Sequence, residues 1–246
     1  MSKALSIAAL LALAGAANGQ VVISEVLGST SGSDWEFIEL VNLGAAPVNI
    51  GGWSIELWDS DAGAAFGTLD GASPYSINAG TILAPGATWV LGTSRAFDGD
   101  ARIADGYDNG SGIESYAGVD FRRDQALGPD GTSIENSSYT VVLANAGLGV
   151  EDSWFFWDNG VGDLPNRAGV AFAPAFSAPL DGTFLAAGAY RGADNALHLL
   201  NFGTSSGGHN DGTLEGGTPG YNQIPAPGAL ALVGVAGLVS ARRRRA

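Results

Sequence analysis

The chain contains no cysteine, which excludes disulfides, thiolate metal sites and thiol nucleophiles. It is almost as poor in lysine. Lys3 stands alone, and the span from Glu25 to Glu215 holds six arginines against all 25 acidic residues, a net charge of −19. A surface this negative repels phosphate backbones, so no nucleic acid is expected as a partner. It repels anionic lipid head groups for the same reason. Histidine is scarce as well: His198 and His209 are the only two. No ligand cluster around them has zinc-site spacing, and His198 reads as a strand residue with its ring at the surface.

Glycine is abundant instead, 38 of 246 residues, about twice the usual share. Yet 46% of the chain is hydrophobic, and Trp, Tyr and Phe together number 22. A flexible linker lacks such aromatics, so this is a folded chain with many tight turns. The length suits one large domain or two small ones.

Both ends read as addresses. MSKALSIAALLALAGAANGQ places Lys3 before an apolar run from Ala4 to Ala14, with the small residues Ala17 and Gly19 ahead of Gln20. That is the pattern of a secretory signal peptide cleaved before Gln20. An ordinary helix would carry a polar face, and this stretch has none. The other end reads IPAPGALALVGVAGLVSARRRRA. Gly228 to Ala241 is 14 residues, or 18 when counted from Ile224, against the roughly 20 of a comfortable membrane span. Arg242 to Arg245 sit where cytoplasmic positive charge holds a tail after export.

Pro225-Ala226-Pro227, the short apolar helix and Arg242, Arg243, Arg244 and Arg245 together resemble a PEP-CTERM sorting signal, with Ala226 where that family has Glu. The resemblance implies recognition by an exosortase-type membrane enzyme after passage through the export machinery. A permanent single-pass anchor is the alternative. The expected organisation is a signal peptide at 1–19, a soluble domain at 20–223 and a sorting or membrane segment at 224–246, outside the fold as a removed anchor signal is.

Between the addresses, short apolar runs alternate with Gly, Asp, Asn and Pro. Strands are expected at Gln20–Leu27, Trp53–Leu57, Ala87–Leu91, Tyr139–Leu143, Ser153–Trp157, Phe184–Tyr190 and Ala196–Phe202. Many short strands separated by turn signals point to an all-β sandwich or barrel. SDWEFIELVNLG is ambiguous. Ser33 and Glu36 have capping-box spacing and Gly44 suits a C-cap, so local rules lean towards helix.

Ile23-Ser24-Glu25-Val26, Glu36-Phe37-Ile38-Glu39-Leu40, Asn42 and Gly52-Trp53 resemble the opening of a lamin-tail domain of the bacterial exported type. Leu83-Ala84-Pro85-Gly86 leading into Trp89, the hairpin around Thr140–Ser153 and Thr218-Pro219-Gly220 with Asn222 are similar to later family segments. The resemblance implies an immunoglobulin-like β-sandwich. It makes Trp35–Val41 a strand, against the capping-box reading. Residues 95–135 and 158–182 exceed what such a domain needs and are expected to be loop insertions.

Chemistry is sparse. Gly203-Thr204-Ser205-Ser206-Gly207 matches G-x-S-x-G, but a nucleophile elbow needs a helix after Ser205. Gly207-Gly208-His209-Asn210-Asp211-Gly212 starts no helix, and His209 and Asp211 lie too close in sequence for triad roles. The expected reading is a polar loop. Asp98, Asp100, Asp105 and Asp108 are the calcium candidates, because calcium takes six to eight oxygens from flexible loops. They miss the EF-hand pattern and read as a solvated acidic loop, so no metal or other cofactor is expected. Trp35, Trp58 and Trp154–Trp157 offer sugar-stacking faces, though core packing explains them more simply.

The expected protein is therefore a non-catalytic, exported cell-surface or matrix module. Its partners would be the sorting enzyme and extracellular polysaccharide or surface proteins. The rivals are a carbohydrate-binding or calcium-dependent adhesion module and a serine hydrolase using Ser205.

Overall fold

The structure, a computed structural model, describes residues 20–28, 36–92, 123–127, 134, 137–158, 160–179, 187–192 and 195–199. Glycine and proline turns cut these into short strands, as the alternating pattern predicts. In chain order they are β1 (Val21–Gly28), β2 (Phe37–Asn42), β3 (Val48–Asn49), β4 (Ser54–Asp59), β5 (Tyr75–Ser76), β6 (Ile82–Leu83), β7 (Thr88–Gly92) and β8 (Gln125–Ala126). They continue with β9 (Tyr139–Ala144), β10 (Val150–Trp157), β11 (Asn166–Arg167), β12 (Val170–Ala171), β13 (Phe176–Pro179), β14 (Ala187–Arg191) and β15 (Leu197–Leu199).

One sheet has the order β15-β14-β1-β2-β7-β8 and the other β13-β10-β9-β4-β5. Pairing is antiparallel except for β7 with β8 and β10 with β13. The result is an all-β sandwich, as the strand pattern predicts, of the immunoglobulin-like kind that the lamin-tail resemblance implies. Among the described residues no helix occurs, so none is long and apolar enough to cross a membrane. The expected apolar C-terminal helix lies outside the described residues.

The core forms between the sheets. Ile23, Val26, Ile38, Leu40, Trp89 and Leu91 meet Ile55, Leu57, Tyr139, Val141, Leu143, Trp154 and Phe156. Tyr139 stacks on Phe156 at 5.0 Å, and Trp154 meets the edge of Phe176 at 5.6 Å. The register of β1 against β2 shifts between Ile23 and Glu25. Strict alternation from Val21 and Ile23 would send Glu25 into the core. The bulge turns Glu25 outward and brings Val26 in.

The segment read two ways is a strand. Phe37 pairs with Gly92 and Leu27, and Val41 with Thr88 and Val22. Trp35 lies outside the described residues. Its alternation is hidden because β2 is buried on both faces. Ile38 and Leu40 face the core, while Phe37 joins Leu27 and Val90 in an outer cluster. The acids at helical spacing are held by the sheet: Glu39 Oε1 accepts from Ser24 Oγ and Glu36 Oε2 from Ile134 N. Asn42 Nδ2 donates to the carbonyls of Ala46 and Leu83, and its Oδ1 accepts from Gly44 N.

The expectation of plain loop insertions needs correction. Within 158–182, β13 is an edge strand of the five-stranded sheet, and β11–β12 forms a hairpin. Within 95–135, β8 extends the other sheet, and Leu127 and Ile134 are core residues. Two-residue strands show no periodicity, and Pro174 with Pro179 disguises β13.

The sheets are joined at a second irregularity. β10 shifts register against β9 between Val150 and Asp152. Asp152 Oδ2 then accepts from Ile23 N of the opposite sheet at 3.0 Å and from Arg191 Nη2 at 2.8 Å. Arg191 Nε donates to the Ile23 carbonyl, and the guanidinium lies 4.3 Å from the Phe176 ring centroid. Ile23 sits beyond the end of the β1–β14 pairing, which runs from Glu25 to Gly28. The ion pair thus satisfies both backbone groups of a residue that, among the described residues, has no strand on that side.

Removing one partner strands a buried charge. Asp152→Ala is expected to cost roughly 3–5 kcal/mol in urea unfolding; a cost near zero would show that the pair carries nothing. Tyr139 behaves oppositely. Its hydroxyl is buried and, among the described residues, has no hydrogen-bond partner; it lies beneath Gly28, where any Cβ would strike it. Burial first, and the charges of Glu36 and Asp70 second, hold its pKa well above the usual phenol value. Tyr139→Phe removes an unsatisfied polar group, so its unfolding free energy is expected to be unchanged or higher by about 1 kcal/mol.

Candidate functional site

Three carboxylates from two distant parts of the chain meet at one end of the five-stranded sheet. Asp61 follows β4, Asp158 follows β10, and Asp163 closes the turn after it. Their nearest oxygens lie within 4.8 Å of one another. The chain builds this corner locally. Ser60 N donates to the Ser138 carbonyl and Asp61 N to Asp59 Oδ1. Gly160 N donates to Asp158 Oδ1, and Gly162 at φ 97° completes a bend that few other residues adopt. Val161 at its tip is 98% exposed.

Ser138 is the hub. Its Oγ lies 2.6 Å from Asp163 Oδ2 and 3.2 Å from Asp158 Oδ1, and it accepts from Asp158 N at 3.0 Å. Asp163 Oδ1 accepts from Ala62 N at 3.1 Å. Burial opposes ionisation of Asp163. The hydrogen bonds from Ser138, Ala62 and Gly160 outweigh it and hold the carboxyl below the ordinary 3.8. At neighbouring Asp59, burial and then the charges of Asp61 and Asp163 win over the Asp61 amide and push the carboxyl up. Hard carboxylate oxygens are what calcium and magnesium take. Asp61, Asp158 and Asp163 are the described residues able to hold such an ion. They also tie three loops together through Ser138 and Ala62, a role that requires none.

Beside this corner the β11–β12 hairpin lies over the outer face of the same sheet. Asn166 is fully buried and bonds Thr140 Oγ1, the Asp59 carbonyl and Ser60 Oγ. Arg167 forms a bidentate pair with Glu56, Nε to Oε2 at 2.8 Å and Nη2 to Oε1 at 2.6 Å. Those bonds hold its pKa above the usual guanidinium value against the opposing effect of burial. Ala168 at φ 54° and Gly169 at φ 75° make the turn.

The model of the Lamin Tail Domain matches residues 14–146. The chain belongs to the lamin tail domain family. No curated protein matches it. The lamin-tail match stops before β10, yet β10 pairs with β9 and β14 with β1. Strands beyond the matched span therefore complete both sheets of this lamin-tail sandwich.

Of the residues singled out from sequence, Ala17, Gly19, Asp98, Asp100, Asp105, Asp108, Ser205, His209 and Asp211 lie outside the described residues. So do Pro225, Ala226, Pro227 and Arg242–Arg245. Gln20 immediately precedes β1, and its carbonyl accepts from Leu43 N. His198 is in a strand as expected, half-buried and stacked on Tyr190 at 5.1 Å. Trp154 packs in the core, and Trp58 is half-buried with Nε1 on Glu56. Sequence reading missed Asp61, Asp158 and Asp163. Asp61 stands about a hundred residues from the others, and only the Asp-rich turn after β10 gave any local signal.

The pKa directions give a pH test. Asp163 is depressed on folding, so its contribution is present above 3.8 and lost as pH falls through its folded value. The stability gap between wild type and Asp163→Asn should be open at neutral pH and close under acid, measured by urea unfolding. A gap that widens in acid would contradict the assignment.

Proposed function

We propose that the chain is a non-catalytic interaction module, exported and then delivered to the cell envelope by its C-terminal tail. The observation that carries this is an arrangement: a lamin-tail sandwich lies between a signal-peptide pattern and the Pro225–Pro227, apolar-helix, arginine order. The family supports the first half, because lamin-tail domains are immunoglobulin-like and non-enzymatic as a family. The polar side chains of the sandwich support it too. Asp152, Arg191, Asn42 and Asn166 are all engaged in holding backbone groups and each other. The tail is read by an exosortase-type enzyme in this proposal, and the sandwich then meets extracellular polysaccharide or surface proteins.

The test is localisation and mature mass in the native host. Arg242–Arg245 replaced together by Ala, or Pro225 and Pro227 by Ala, is expected to move the protein from the envelope fraction and leave the tail uncut. Unchanged retention and unchanged mature mass in both variants would contradict the sorting assignment.

A further inference from the structure

The β11–β12 hairpin and β10 enclose a groove of about 470 Å³, lined by Val150, Ser153, Arg167, Val170, Phe172 and Ala173. That volume falls within the roughly 300–1,000 Å³ of small-ligand sites. Four of the six lining side chains are apolar. Val150 and Val170 are 48% and 69% exposed, although large aliphatic side chains are usually inside.

The two polar lining groups share one feature. Ser153 is 4% exposed and faces outward, because its neighbour Trp154 points into the core. Among the described residues no protein group bonds its hydroxyl, which is left to meet whatever enters the groove. Arg167 has five N–H donors. Glu56 takes two and the Leu148 carbonyl a third. Two N–H groups remain, again among the described residues.

Charge decides what these donors suit. Glu56 neutralises the guanidinium at 2.6 Å and is itself fixed by Trp58 Nε1 at 2.9 Å. An entering anion gains no uncompensated positive charge, and it meets a chain of net charge −14. A neutral acceptor keeps the hydrogen bonds without that repulsion. We propose that this groove binds an apolar side chain together with the neutral carbonyl beside it, as an apolar peptide segment presents them.

The proposal rests on the interaction-module reading and names the partner chemistry. Every lining residue lies beyond residue 146, where the lamin-tail match ends. The groove is thus set by the part of the chain that the family match does not reach.

The probe is N-acetylphenylalaninamide, titrated into the full chain and followed by amide chemical shifts. Saturable shifts are expected at Val150, Ser153, Val170, Phe172 and Ala173, with millimolar affinity. N-acetylphenylalanine, which is the same molecule ending in a carboxylate, should bind severalfold more weakly. Val170→Asp, at an exposed position, should abolish binding, and Ser153→Ala should weaken it severalfold. Absence of saturable shifts, equal binding of the carboxylate, or unchanged binding in both variants would each overturn the proposal. Failure here with tail variants that mislocalise as expected would remove the groove and leave the sorting reading standing.

Discussion

Everything in this sandwich hangs on how Asp152 and Arg191 meet at Ile23. Two sheets packed through apolar side chains are held at a distance but not in register, because hydrophobic contact is non-directional. Asp152 and Arg191 supply direction. One comes from β10 and the other from β14, and both reach backbone atoms of Ile23. Each sheet carries a register shift where they act. The shifts release a backbone edge in one sheet and aim a carboxylate from the other.

The pair is not a simple source of stability. Burial pushes the Asp152 carboxyl up, and Arg191 with the Ile23 and Ser153 amides only partly offsets it. Burial likewise lowers Arg191 against the pull of Asp152. A carboxyl raised on folding favours the folded state below 3.8 and loses that contribution as pH rises through its folded value. Desolvation therefore takes back much of the Coulombic gain, as it does in buried ion pairs generally. What the pair adds is geometry. The guanidinium over Phe176 also seats the edge strand β13, and its Nη1 on Asn195 reaches the turn between β14 and β15.

The same physics explains what could be read from the sequence. Ile55 and Leu57 alternate visibly with Ser54 and Glu56 because the outer face of β4 is polar and meets Arg167 of the hairpin, and the strand falls where the pattern puts it. Phe37–Asn42 has no wet face, so Glu36, Glu39 and Asn42 break the alternation and mimic a helix. The lamin-tail motif resolved that segment where periodicity failed. β13 was invisible, being four residues ending in proline and paired in parallel with β10. The groove shared that fate, because Ser153 and Arg167 come together through a hairpin of two-residue strands. Asp61, Asp158 and Asp163 converge only through the fold, whereas Asp98–Asp108 drew notice through local density alone.

A side chain from one sheet caps the backbone of the other at Ile23. Native-state hydrogen exchange at the Ile23 amide tests it most directly. This amide is expected to exchange only with global unfolding in the wild type. In Asp152→Ala it should lose protection by more than the Val26 amide beside it. An Ile23 amide that exchanges as fast as those of exposed turns in the wild type, or that keeps pace with Val26 in the variant, would contradict it.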